Sequence, residues 1–210
     1  MAALEDLLQQ HAVWRGGAFA RPAGAVPTGY PGFDRELPGG GWPLGALTEI
    51  LGLCEGVGEL QLVLPALAAS GVDLAHLVVV RAPGRRDALW AAEQVLRAGN
   101  CHALLAWLRD ARYPELRRLA VAAGTSRAFV ALFRRREAIA TSSPACLRIA
   151  LEPAGEGLCA RILKRPGAPA AAPLRIAVKK PVHALGRTPF PLSAARDART
   201  HRRLGLPVHA

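Results

Sequence analysis

Residues 49–60 read Glu49-Ile-Leu-Gly52-Leu-Cys-Glu-Gly56-Val-Gly58-Glu59-Leu60, after an apolar lead-in and before an apolar run. An apolar strand, a Gly-rich turn and a helix form the frame of a phosphate-binding loop. A working loop has the form Gly-x4-Gly-Lys-Ser/Thr. Its amides hold phosphates, its Lys neutralises them and its hydroxyl holds Mg²⁺. Here Glu59 stands in the Lys position and Leu60 in the hydroxyl position, and the Gly52 to Gly58 spacing is one residue too long. A carboxylate facing a triphosphate repels it. The loop reads as a frame without its chemistry: no catalysis, no nucleotide cofactor and no metal are expected at Gly52, Gly56, Gly58, Glu59 and Leu60. The plainer alternative is a strand–turn–helix whose glycines serve backbone geometry alone.

The surrounding sequence reads as α/β. Ala46–Leu51, His76–Arg81, His102–Leu108 and Ala128–Phe133 are apolar strand candidates, with 77–80 (Leu-Val-Val-Val) central. Between them fall a helix after Gly58 that Pro65 should kink or shorten, a helix over 88–98 with Asp87 as its N-cap and Gly99 as its C-cap, and a helix over 113–123 that Gly124 should end. Strands near 146–151, 158–164 and 174–178 then follow one another. This order predicts a mostly parallel central sheet with antiparallel strands at one edge. Residues 15–45, rich in Gly and Pro, read as a loop-heavy lead-in behind a short amphipathic helix over 3–12.

Charge divides the chain differently. The whole of it carries +11 over 210 residues, yet residues 161–210 hold eleven Arg/Lys and only one acid, Asp197. We therefore read residues 1–180 as the core and 181–210 as a basic arm. Arg187, Arg196, Arg199, Arg202 and Arg203 are its candidate contacts to phosphates or acidic partner surfaces. Phe190 is the arm's lone aromatic, which gives little basis for stacking on single strands. Arg134, Arg135 and Arg136, after a strand, form a second candidate DNA-contact patch, with a solvated loop tip as the alternative. Cys54, Cys101, Cys146 and Cys159 lack CxxC spacing and read as reduced core thiols rather than zinc ligands. The acidic opening residues do not resemble a signal peptide, and no apolar run approaches a membrane span, so a cytoplasmic protein is expected.

Two stretches carry a family resemblance. Thr28-Gly-Tyr-Pro-Gly-Phe-Asp34 and Leu37-Pro-Gly-Gly-Gly41-Trp-Pro-Leu-Gly45-Ala-Leu-Thr-Glu49-Ile50 resemble the lead-in to the phosphate loop of RecA-type recombinases. Gly56-Val-Gly-Glu-Leu60 with Leu62-Val-Leu-Pro-Ala-Leu67 looks more like the ImuA family, RecA-like and SulA-related proteins encoded with translesion polymerases. The resemblance runs over roughly residues 5–178. It includes Arg117-Arg-Leu, Phe133-Arg134, Ser143-Pro-Ala-Cys-Leu-Arg148 and Ile162-Leu-Lys-Arg165.

The resemblance implies a RecA-like core and an accessory role in SOS-induced, error-prone translesion synthesis. The implied partners are ImuB, an error-prone DnaE-type polymerase and RecA. It also draws attention to Lys164 and Arg165, which resemble basic residues that RecA turns toward nucleotide across a filament interface. Departures accompany the match. The strand over 102–108 ends in Trp107-Leu108 rather than a metal-binding acid, with Asp110 two residues on, and no Gln or Asn follows Phe133-Arg134. A SulA-like inhibitor of FtsZ and a nucleotide-dependent RecA paralogue are the alternative functions. Trp14, Trp42, Trp90 and Trp107 read as structural, with Trp42 a candidate cover for the nucleotide position.

Overall fold

A computed structural model of the chain describes residues 22–52, 58–155, 157–167 and 172–177. Eight strands join one sheet: β1 (Gly24–Val26), β2 (Trp42–Leu44), β3 (Ala46–Gly52), β4 (Ala103–Trp107), β5 (Phe129–Arg135), β6 (Leu147–Ala154), β7 (Gly157–Lys164) and β8 (Leu174–Ile176). The order is β1-β2-β5-β3-β6-β7-β8, with β4 on β5. Strands β4, β5, β3 and β6 run parallel. The other pairings, β1–β2, β2–β5, β6–β7 and β7–β8, are antiparallel.

This corrects the expected RecA-like, mostly parallel sheet in three respects. The sheet is mixed, with four antiparallel pairings against three parallel ones. Antiparallel strands stand on both sides of the parallel group rather than at one edge, because the Gly/Pro lead-in supplies β1 and β2. The strand expected over His76–Arg81 is absent: Leu74–His76 forms a 3-10 turn and 77–80 lies outside every ladder.

The helices are α1 (Pro31–Asp34), α2 (Glu59–Ala69), α3 (Arg85–Ala98) and α4 (Tyr113–Thr125). Side chains alternate between the faces of a strand, and each face has its own apolar layer. Ile50, Phe133 and Ile149 meet Phe33 of α1 and Leu62, Val63 and Ala66 of α2. Leu47, Val130 and Leu132 meet Leu89 and Leu96 of α3 and Leu116 and Leu119 of α4. Trp42 belongs to the first layer. It is fully buried, edge-on to Phe33 and tilted against Phe129, each at 5.4 Å, so it is a core residue and not a cover over a ligand position.

Helix ends follow local chemistry with shifts from expectation. Gly99 closes α3 in the left-handed conformation, as expected. Asp87 is not its N-cap: α3 starts at Arg85, and Asp87 lies in its first turn, where its charge favours the helix dipole. Gly124 is passed over, and α4 ends at Thr125.

Pro65 does not shorten α2, which continues to Ala69. Proline lacks the amide that would serve the carbonyl four residues back, here Gln61. The Tyr30 hydroxyl donates to that carbonyl at 2.8 Å and replaces the missing bond. Beside it, Gly29 (φ +86°) brings the lead-in against the Pro65 ring, where an added Cβ would come within 2.4 Å of the proline Cβ.

Candidate functional site at the carboxyl ends of the parallel strands

Open α/β sheets bind ligands beyond the carboxyl ends of their parallel strands. Here a crevice of about 330 Å³ opens at that place. It is lined by Ile50 and Gly52 of β3, Trp107 of β4, Phe133, Arg134 and Arg135 of β5, Leu151 of β6, and by Glu59, Arg109 and Glu137. Trp107 stacks on Phe133 with ring centres 4.8 Å apart and forms an aromatic wall. Trp107 is 40 % exposed, so its strand position does not make it a core residue.

Gly58 (φ +101°) turns the chain into α2, and Glu59 is the first residue of that helix. The helix start carries free amides and a partial positive charge that suit an anion. Glu59, only 8 % exposed, brings its own carboxylate there, with the Trp107 indole nitrogen 3.5 Å from one oxygen. Leu60 points outward and is partly exposed. Among the described residues no cluster of His, Cys, Asp or Glu could hold a metal ion.

Beneath the crevice is a feature that sequence reasoning missed. Glu49 of β3 is wholly buried, and each of its oxygens takes a guanidinium: Arg134 Nη1 at 2.8 Å and Arg148 Nε at 2.7 Å. The far end of Arg134 donates to the Ala111 carbonyl at 2.5 Å, and that of Arg148 to the Ala138 carbonyl at 2.6 Å. The signal was present in the sequence. Glu49, Arg134 and Arg148 each sit inside an apolar strand, and a buried charge requires a partner. Their positions on three adjacent strands put them on one face.

The candidate patch Arg134–Arg136 therefore divides. Arg134 is buried on Glu49 and is not a DNA-facing residue, which corrects that expectation. Arg135 reaches outward, 3.8 Å from Asp110, and Arg136 pairs with Glu152 at 2.9 Å. Lys164 donates to the Ser143 carbonyl at 3.0 Å. Burial lowers its pKa, and Arg148 lowers it further. Arg165 binds both the carboxylate of Glu36, at 3.0 Å, and its backbone carbonyl. Lys164 and Arg165 thus tie β7 and its end to neighbouring loops. The thiols of Cys101 and Cys146 are pushed above their ordinary pKa by burial, the opposite of an activated nucleophile.

Gly56 and the arm residues Arg187, Arg196, Arg199, Arg202 and Arg203 lie outside the described residues, as do Trp14 and Cys54. Within the described part, no helix is long and apolar enough to cross a membrane. No protein-family model matches the chain, and no curated protein is significantly similar to it.

Proposed function

We propose that this chain is a non-catalytic adaptor of error-prone translesion DNA synthesis. In this reading it binds an ImuB-type polymerase relative and, with it, an error-prone DnaE-type polymerase, and RecA is a further contact. The observation that carries the non-catalytic part is Glu59. Its carboxylate lies at the helix start where a phosphate would have to sit, and Leu60 supplies no hydroxyl for Mg²⁺. One of the crevice arginines, Arg134, is already committed to Glu49. The choice of partners rests on the resemblance to the ImuA family over roughly residues 5–178, carried most specifically by Gly56 to Leu67 together with the Gly39 to Ile50 lead-in, and the handle is the basic arm.

The test is co-purification of the full chain and of a 1–180 truncation with an ImuB-type protein. Retention of the partner by the full chain and loss on truncation is the expected result. Binding by neither overturns the adaptor reading. A thermal-shift titration with Mg-ATP accompanies it. A ligand at about a hundred times its Kd adds roughly 2.7 kcal/mol of stability, so a flat melting temperature is expected. A clear rise would return the nucleotide-dependent alternative.

A further inference from the structure

Helices α3 and α4 lie side by side on one face of the sheet, and each carries a large apolar residue on its outer side. Trp90 of α3 and Val121 of α4 are both 62 % exposed. The two helices run parallel. Arg85, in the first turn of α3, pairs with Glu115, in the first turn of α4, at 2.9 Å. Both helices end shortly before the parallel strands β4 and β5 begin. Trp90 is five residues beyond Arg85 and Val121 six beyond Glu115, so at about 1.5 Å per residue they stand about 7.5 and 9 Å along, level with each other across the seam. The seam between them is basic. Glu93, 7 % exposed, takes Arg97 at 2.8 Å and Arg118 at 3.0 Å. Two arginines on one carboxylate leave a net positive charge, and the exposed Arg86, one turn before Trp90, adds to it.

A helix that fits this groove needs an apolar stripe and acidic residues. Residues 3–12, which lie outside the described residues, have that pattern in sequence. Leu4, Leu7, Leu8 and His11 recur at i, i+3, i+4 and i+7, the anchor spacing of a helix laid in a groove. The segment's acids are Glu5 and Asp6, and it has no Lys or Arg. The chain also delivers it to the right place. The first described residue is Pro22, and the Ala23 amide donates to the Leu44 carbonyl at 2.9 Å. A Cβ on Gly45 would lie 3.5 Å from the Ala23 Cβ and 2.8 Å from the Ser126 carbonyl oxygen, so the chain enters beside the carboxyl end of α4. The stretch from residue 12 to residue 22 can span roughly 33 Å, while α4 is only about 20 Å long.

We propose that residues 3–12 dock as a helix in the α3–α4 groove of their own chain. The leucine stripe would lie against Trp90 and Val121, and Glu5, which flanks that stripe, would face the arginines of the seam. Docking would cover both exposed apolar residues and bring a carboxylate to a basic surface. The groove then serves the chain itself and not an outside partner.

Hydrogen–deuterium exchange on the full chain tests this at a concentration where light scattering shows a monomer. Ten residues are too few for a stable helix in isolation, so a synthetic peptide of residues 1–14 gives the undocked rate. Docking predicts that amides within 7–12 exchange at least about tenfold more slowly in the chain than in the peptide. Exchange at the peptide rate overturns the proposal. Three variants locate the contact: Trp90→Ala and Val121→Asp in the groove, and Leu7→Asp in the segment. Each should return residues 7–12 to the peptide rate while the amides of β5 stay protected. Leu7→Asp lies outside the core and keeps the test open where a groove variant unfolds the chain. Protection that survives both groove variants puts the segment elsewhere and overturns the proposal. So does protection that appears only in a dimer or only with an added partner, because the groove is then filled by another molecule.

Discussion

Two carboxylates ten positions apart in the sequence have opposite surroundings. Glu49, at zero exposure, has both oxygens saturated by Arg134 and Arg148, whose outer nitrogens bond carbonyls of two neighbouring loops. Glu59, at the crevice, has an indole nitrogen at 3.5 Å, the outer limit of a hydrogen bond, and sits at a helix start. The difference separates two uses of one side chain. Through its two arginines Glu49 joins β3, β5, β6 and the turns after β4 and β5 into one unit. Glu59 instead places a buried carboxylate at the crevice wall and at the start of α2.

The largest expected effect comes from breaking the first site. Removing one partner of a buried ion pair leaves uncompensated charge and costs about 3–5 kcal/mol. Glu49→Ala, which strands two arginines, should reach the upper end of that range in urea unfolding. A loss below about 1 kcal/mol would show that water reaches the site. Arg135→Ala, one residue beyond the buried Arg134, should stay within about 0.5 kcal/mol, as exposed ion pairs do.

Glu59→Gln should cost less than Glu49→Ala. It removes a negative charge from a helix start, worth about 0.3–1 kcal/mol. If its loss equals that of Glu49→Ala, the contrast between the two carboxylates fails.

The smallest effect is alkaline. Cys101 and Cys146 have raised pKa values in the fold, so above pH 9 the native state keeps thiol protons that the unfolded chain has lost. Their contribution to stability therefore falls as pH rises. The Lys164 pKa is lowered from the ordinary lysine value of 10.5, so just below that pH the unfolded chain holds a proton that the fold gives up, and its contribution rises with pH. The Cys101→Ala/Cys146→Ala double variant should gain stability relative to the parent between about pH 9 and 10.5. A parallel pair of stability curves would contradict this.

Much of the sheet was legible because apolar runs over 46–51 and 128–133 have few alternatives to burial in strands. β1 and β2 were not, since Pro43 and the flanking glycines carry loop signals and the strands exist only through their mutual pairing over Gly24–Val26 and Trp42–Leu44 and the bridge from Leu44 to Phe129 of β5. The 77–80 run shows the reverse failure. Its residues have strong strand character, but a strand also needs a neighbour, and pairing is a tertiary event. At the site, Glu59 and Leu60 disclosed their chemistry by position alone. The Glu49 network remained hidden because its arginines lie 85 and 99 residues away in sequence.

The Gly29, Tyr30 and Pro65 contact has a consequence for how this sequence can change. A proline arising in α2 without a hydroxyl at residue 30 would leave the Gln61 carbonyl unserved. A side chain at residue 29 would collide with the ring. The three positions therefore behave in descent as a single heritable character. Homologues that lack the proline are free to vary residues 29 and 30, while those that keep it should retain glycine followed by tyrosine.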